Sequence, residues 1–123
     1  MVEILPVRDK ILQESACLHC GIKYAPELMA YAAYSNGKLS GICQFSVNSG
    51  YASIVDLKIA NNTNDNQLSI IIGCAVLNFI DFCGVSLAKC ESKSISEDVL
   101  ISIGFSKNSD GIYEIDIPHY INR

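Results

Sequence analysis

Residues 28–59 limit the fold more than any other stretch, because Asn36-Gly37 and Asn48-Ser49-Gly50 separate three strand-like segments, the middle one cleanly alternating. Asn-Gly is a strong hairpin signal, since both central positions of a type I′ turn need positive φ. Between the turns, Leu39, Gly41, Cys43, Phe45 and Val47 are expected on one face, with Ser40, Gln44 and Ser46 on the other. In the third segment Val55, Leu57 and Ile59 share a face. Three consecutive strands joined by short turns make an antiparallel meander.

The pattern then changes period. After a polar, Asn-rich loop (residues 60–66), residues 67–82 are apolar except for a few positions such as Ser69, Gly73 and Asn78. A bilayer span takes roughly 20 apolar residues, so this run is too short and reads as a buried helix. Gly84 ends it, and residues 85–90 form a strand. Strand, helix and strand at this spacing imply a right-handed parallel crossover.

The flanks complete the pattern. Residues 3–7 form a first strand stopped by Pro6. Asp9 caps a helix reaching Cys20, with Leu12, Ala16 and Cys20 as its apolar stripe and Gly21 after its C-cap. Ser94 and Glu97 spell a capping box opening a short helix that ends at Gly104. Phe105 begins a last strand, Asp110-Gly111 offers a turn, and residues 112–117 return until Pro118. The expected order is β-α-β-β-β-α-β-α-β-β. This is an α/β (α+β) fold: a mixed, mostly antiparallel central sheet flanked by helices, in a single domain over residues 1–123.

Composition excludes some functions. The net charge is −4, and the nine Lys and Arg are scattered along the chain. Without a basic stripe to neutralise phosphates, no nucleic-acid partner is expected. The start, MVEILPVRDK, lacks the basic and apolar regions of a signal peptide. A cytoplasmic location, no membrane partner and reduced, mostly buried thiols are expected for Cys17, Cys20, Cys43, Cys74, Cys83 and Cys90. Cys17 and Cys20 form a Cys-x-x-Cys, but zinc needs a second ligand pair, and His119 stands alone, so no metal is expected.

Three stretches carry a likeness: SIVDLKI at residues 53–59, IIGCAVLNFIDFCGV at 71–85 and EDVLISIGFSKNSDGIYEIDI at 97–117. With the element order and Gly104-Phe105, the chain resembles the GNAT superfamily of N-acetyltransferases. The resemblance implies acetyl-CoA in a V-shaped cleft between the central strand and its parallel neighbour. The backbone of Leu57, Lys58 and Ile59 would pair with the pantetheine. The pyrophosphate would lie against Gln67, Leu68, Ser69, Ile70, Ile71, Ile72 and Gly73, where a helix start presents unpaired N–H groups and the positive end of its dipole.

The resemblance also implies roles on the reacting side. Asp56 stands where the family places a Glu or Asp base; its other reading is a solvated strand carboxylate beside Lys58. Leu100 occupies the position of the family's general-acid Tyr, and Lys93 that of a cofactor-contacting Asn. Tyr113 could supply the proton if the last hairpin folds towards the cleft. Two functions follow. One is N-acetyl transfer from acetyl-CoA to a small-molecule or peptide amine. The other is a catalytically inactive GNAT-fold binding, regulatory or dimerisation module. A homodimer is a possible partner state, and the sequence leaves the oligomeric state open.

Overall fold

The computed structural model describes residues 1–60 and 66–117. Most of the Asn-rich loop, Pro118, His119 and Tyr120 lie outside them. The elements are β1 (Val2–Val7), α1 (Lys10–Cys20), β2 (Met29–Ser35), β3 (Lys38–Val47), β4 (Ala52–Ile59), α2 (Asn66–Phe82), β5 (Leu87–Cys90), α3 (Glu97–Ile103), β6 (Ser106–Lys107) and β7 (Tyr113–Asp116). The sheet order is β1-β2-β3-β4-β5-β7-β6. Every neighbouring pair is antiparallel except β4–β5. The expected order and the mixed, mostly antiparallel sheet are what is found. Among the described residues no helix is long and apolar enough to cross a membrane.

The turns behave as their residues require. Asn36 and Gly37 have φ of 52° and 80°, the pair a type I′ turn needs. Gly50 has φ 93° in the next turn. Pro6 does not stop β1: it lies within the strand, opposite Tyr31. β1 is an edge strand, so a residue without an N–H costs no ladder bond on its open side.

Two β-bulges break the simple alternation. Ala33 pairs with Gly41 and Tyr34 with Leu39, which leaves Ser40 as the extra residue of β3. Leu39 therefore packs with Ile42 on the α1 side, away from Cys43 and Phe45. Gln44 pairs with Asp56 and Phe45 with Ile54, so Val55 is the extra residue of β4. Ile54 takes the core place expected of Val55, while Leu57 and Ile59 keep theirs.

Each face of the sheet is covered. α1 packs on one side over Ala30 and Ile42. Asp9 accepts from the Ile11 amide at 2.8 Å, and Gly21 closes the helix at φ 79°. The buried positions are Gln13, Ala16, Cys17 and Cys20, and Leu12 is 61% exposed. Residues four apart drift by about 40° per step on a 3.6-residue helix, so Leu12 falls off the face that Ala16 and Cys20 hold.

α2 and α3 cover the opposite face over the larger core. α2 buries Leu68, Ile72, Val76, Leu77 and Ile80. α3 is capped by Ser96, whose Oγ accepts from the Asp98 amide at 3.2 Å, and not by Ser94. A cap at Ser94 would put Ile95 in the first turn; Ile95 instead drops into the core. Phe105 is also core, so the last hairpin starts at Ser106.

Candidate functional site

The parallel seam between β4 and β5 is short. Ala52 pairs with Ala88 and Ser53 with Lys89, and no further pairing joins the two strands. The Val55 bulge follows two residues later. A bulge bends its strand and raises its twist, and β5 itself ends at Cys90, one residue past the last pair. The seam thus opens from Ile54 onwards into a wedge, with the start of α2 and the approach to α3 at its mouth.

Two hollows line that wedge and a further one lies beyond β5, between α3 and the last hairpin. One of ≈ 180 Å³ lies between Leu57, Lys58 and Ile59, the first turn of α2 at Asn66 and Ser69, and Ile95 and Val99 from α3 and its approach. A second, the one beyond β5, has ≈ 290 Å³ and is bounded by Cys90, Lys93, Leu100, Lys107 and Tyr113. A third of ≈ 350 Å³ opens where Ile54 and Val55 face Glu91 and Ser92. The first turn of α2 carries no acidic side chain, so its positive end is not neutralised from within.

The expected phosphate residues divide by helical period. Ser69 faces the first hollow, and Gln67 is exposed beside it. Leu68 and Ile72 are core residues, Ile70 packs against that core, and Ile71 is 38% exposed. Gly73 faces the core as well. A Cβ there would collide with Ile103 Cδ1, so its missing side chain lets α2 and α3 approach. Residues 67–73 therefore do not form one continuous phosphate surface: a helix exposes one side of itself at a time.

Asp56 points to the α1 side of β4, opposite Leu57. Its Oδ2 accepts from Gln44 Nε2 at 3.3 Å. Gln44 is fully buried and also bonds Gln13, the Ala25 amide and the Lys23 carbonyl. Among the described residues Lys58 makes no ion pair with Asp56. Gln13 and Gln44 were not singled out by the sequence reading; a Gln between Cys43 and Phe45 on a strand was the available signal.

On the second hollow, Tyr113 lies across from Leu100. Its hydroxyl donates to Glu97 Oε2, and Lys107 Nζ stands 3.5 Å from the same oxygen. The hydrogen bond to Glu97 pushes the Tyr113 phenol up and holds the Glu97 carboxyl down, with Lys107 adding to the second effect. Cys90 is buried, and burial pushes its thiol up, which does not suit a nucleophile. Cys17 and Cys20 are buried against β3; burial, then the neighbouring Cys20, pushes Cys17 up to about 11. Among the described residues no three His, Cys, Asp or Glu side chains gather as a metal site.

No protein-family model and no curated protein sequence matches the chain. Solved structures do. An N-acetyltransferase from Staphylococcus aureus aligns with TM-score 0.72 at 11% identity, over 95% of this chain and 99% of its own. PaiA N-acetyltransferase from Thermoplasma acidophilum, solved in complex with coenzyme A, aligns with TM-score 0.69 at 12% identity, over 94% and 99%. Tetrahymena GCN5 aligns with TM-score 0.71 at 10% identity, over 95% and 96%. At such identities the likeness concerns architecture, and the architecture agrees over nearly the whole of each chain. The chain has the fold of the GNAT superfamily of acetyltransferases.

Proposed function

We propose that the chain transfers an acetyl group from acetyl-CoA to a small-molecule or peptide amine. The observation that carries this reading is the seam: β4 and β5 pair at two positions and then part. A thioester arm could enter such a slot and pair with the free edge of β4 along Leu57, Lys58 and Ile59. Ser69 and the first turn of α2 face the same hollow. They would receive the pyrophosphate through helix-start dipoles. The residues present fit acetyl-CoA there, by backbone more than by side chain.

Acetyl-CoA would supply the acetyl group as an activated thioester. Asp56, fixed by Gln44 on the α1 side of the seam, would take the proton from the acceptor nitrogen at a carboxylate oxygen. The amide edge of β4 would hold the carbonyl oxygen as negative charge develops. Tyr113 shares a hollow with Leu100, and giving up its proton requires leaving Glu97. The carbon–nitrogen bond would form by addition to the carbonyl carbon, the carbon–sulfur bond would then break, and the departing thiolate would take the Tyr113 proton, while Asp56 passes the nitrogen's proton to solvent and solvent reprotonates Tyr113. Cytoplasmic reducing conditions and a homodimer belong to the same reading.

A second reading has its own support. Ile95, Val99 and Leu100 pack into the core beside the seam, and Ile103 fills the space over Gly73. A GNAT fold retired from catalysis would be packed in this way. Calorimetric titration with acetyl-CoA, and with coenzyme A, separates the two. Micromolar binding, with amine turnover abolished in Asp56→Asn, is the expected result. Absence of heat at millimolar cofactor would leave the inactive module.

A further inference from the structure

A cavity away from the seam lies at the other end of α2. It has ≈ 560 Å³, within the range of roughly 300–1,000 Å³ common for small-molecule sites. Ser69 at the seam and Phe79 at this cavity are ten residues apart, or roughly 15 Å of helix. Beneath it lies an aromatic triad, with Tyr31 and Phe79 half-buried and Phe45 fully buried below them. Tyr31, Phe45 and Phe79 stand with ring centroids 5.7 to 5.9 Å apart, in tilted and edge-on pairs. Met29 and Phe82 form the rim, and both are exposed, Phe82 to 87%. Isolated exposed apolar residues are ordinary, but two beside an open aromatic floor make a continuous apolar surface.

Charge at the mouth selects the ligand's other half. Two cations line the cavity, Arg8 and Lys10. Lys10 is occupied: its Nζ donates to the Leu28 carbonyl at 2.7 Å and to Gln13 Oε1 at 3.1 Å. Arg8 makes no ion pair among the described residues. Burial, then the neighbouring Cys83, pushes the Tyr31 phenol up, with Arg8 opposing, and no hydrogen bond engages its hydroxyl among the described residues. A guanidinium and a phenol above an aromatic floor match a planar carboxylate carried on a ring.

We propose that this cavity binds a small aromatic monocarboxylate, with the ring on Tyr31 and Phe79 and the carboxylate on Arg8. The site goes beyond the acetyl-transfer reading and shares no lining residue with the seam. It stands or falls without acetyl-CoA.

Phenylacetate titrated into the full chain tests it, read by proton–nitrogen NMR, with phenylacetamide and phenethylamine as controls. The expected result is saturable shifts at Met29, Tyr31, Phe79 and Phe82, strongest for the acid and absent for the amine. Arg8→Gln, a surface change that leaves the fold intact, should weaken phenylacetate by roughly tenfold or more and leave the amide unchanged. Three results overturn the proposal: no shifts at millimolar phenylacetate, equal binding of acid and amide, or indifference to Arg8→Gln. Concentration-dependent dimerisation that broadens the same residues and blocks phenylacetate would assign the surface to a second copy instead, and would equally overturn it.

Discussion

Gln44 Nε2 donates to Asp56 Oδ2 across the β3–β4 ladder at 3.3 Å. The same side chain donates to the Lys23 carbonyl at 2.9 Å and accepts from Gln13 at 3.0 Å and from the Ala25 amide at 3.1 Å. One buried amide therefore ties a strand carboxylate to α1 and to the loop between α1 and β2. The carboxylate's orientation is set by the interior rather than by solvent.

Gln44→Leu should therefore act as a core lesion. It leaves the Ala25 amide and the Lys23 carbonyl without their partner, at a cost of roughly 2–4 kcal/mol. Urea denaturation of the variant measures this directly. A change under about 0.5 kcal/mol, the range of ordinary surface substitutions, would show that water satisfies the network instead.

Gly73 makes an opposite pair of expectations for its two possible jobs. If its role is helix packing, Gly73→Ala lowers stability by about 1–3 kcal/mol through collision with Ile103. Ile103→Val removes the colliding carbon and should recover part of that loss in the double variant. A phosphate role predicts instead unchanged stability, lost cofactor affinity and no rescue. Thermal melts of the four proteins decide between them.

The Glu97–Tyr113 pair gives a pH signature. Glu97 is held below its ordinary 4.5, so its contribution is present above that value and lost as pH falls through the depressed one. Tyr113 is raised above 10.0, so its contribution is present below that value and lost as pH rises through the raised one. Tyr113→Phe should differ from the parent in Tm across the neutral plateau and converge with it at both extremes. Both groups are solvent-exposed, so the gap is small. A constant gap from acid to alkali would mean that the effect is packing.

Thiol reactivity should sort the cysteines by depth. Cys83 is exposed, while Cys17, Cys20, Cys43 and Cys90 are buried. Burial holds the Cys17 and Cys43 thiols protonated well above neutrality. An aromatic disulfide reagent should label Cys83 rapidly in the native chain and the four buried thiols only on unfolding. Fast native labelling of Cys17 or Cys20, located by mass spectrometry, would contradict the packing of α1 on β3.

Element order was legible because it rests on local chemistry. Asn36-Gly37, Asp9, Gly21 and the apolar length of α2 each act within a few residues. The bulges at Ser40 and Val55 were not legible, since an extra residue shows itself only when a partner strand is in place. That one fact hid the true faces of Leu39 and Val55. The site was legible as a location and not as a surface. The resemblance pointed to the start of α2, yet which of Ser69, Ile71 and Gly73 meets solvent depends on how α2 is rotated against α3. Pro6 misled for a related reason: whether a proline ends a strand depends on which edge of the sheet it occupies.

The seam between β4 and β5 has a kinetic side. The hairpins β2–β3 and β3–β4 close over a few residues, whereas Ser53 meets Lys89 only after the whole of α2 has been laid down between them. Closing the longer loop costs more entropy, and non-local parallel pairing is slow. The meander should therefore assemble first, and β5, α3 and β7 should dock late, guided by the apolar face of α2. The last line of the sheet to close is then the line along which a thioester arm would lie. A ligand seated there would hold together the two parts of the chain that meet last, and would slow unfolding as well as present a reacting group.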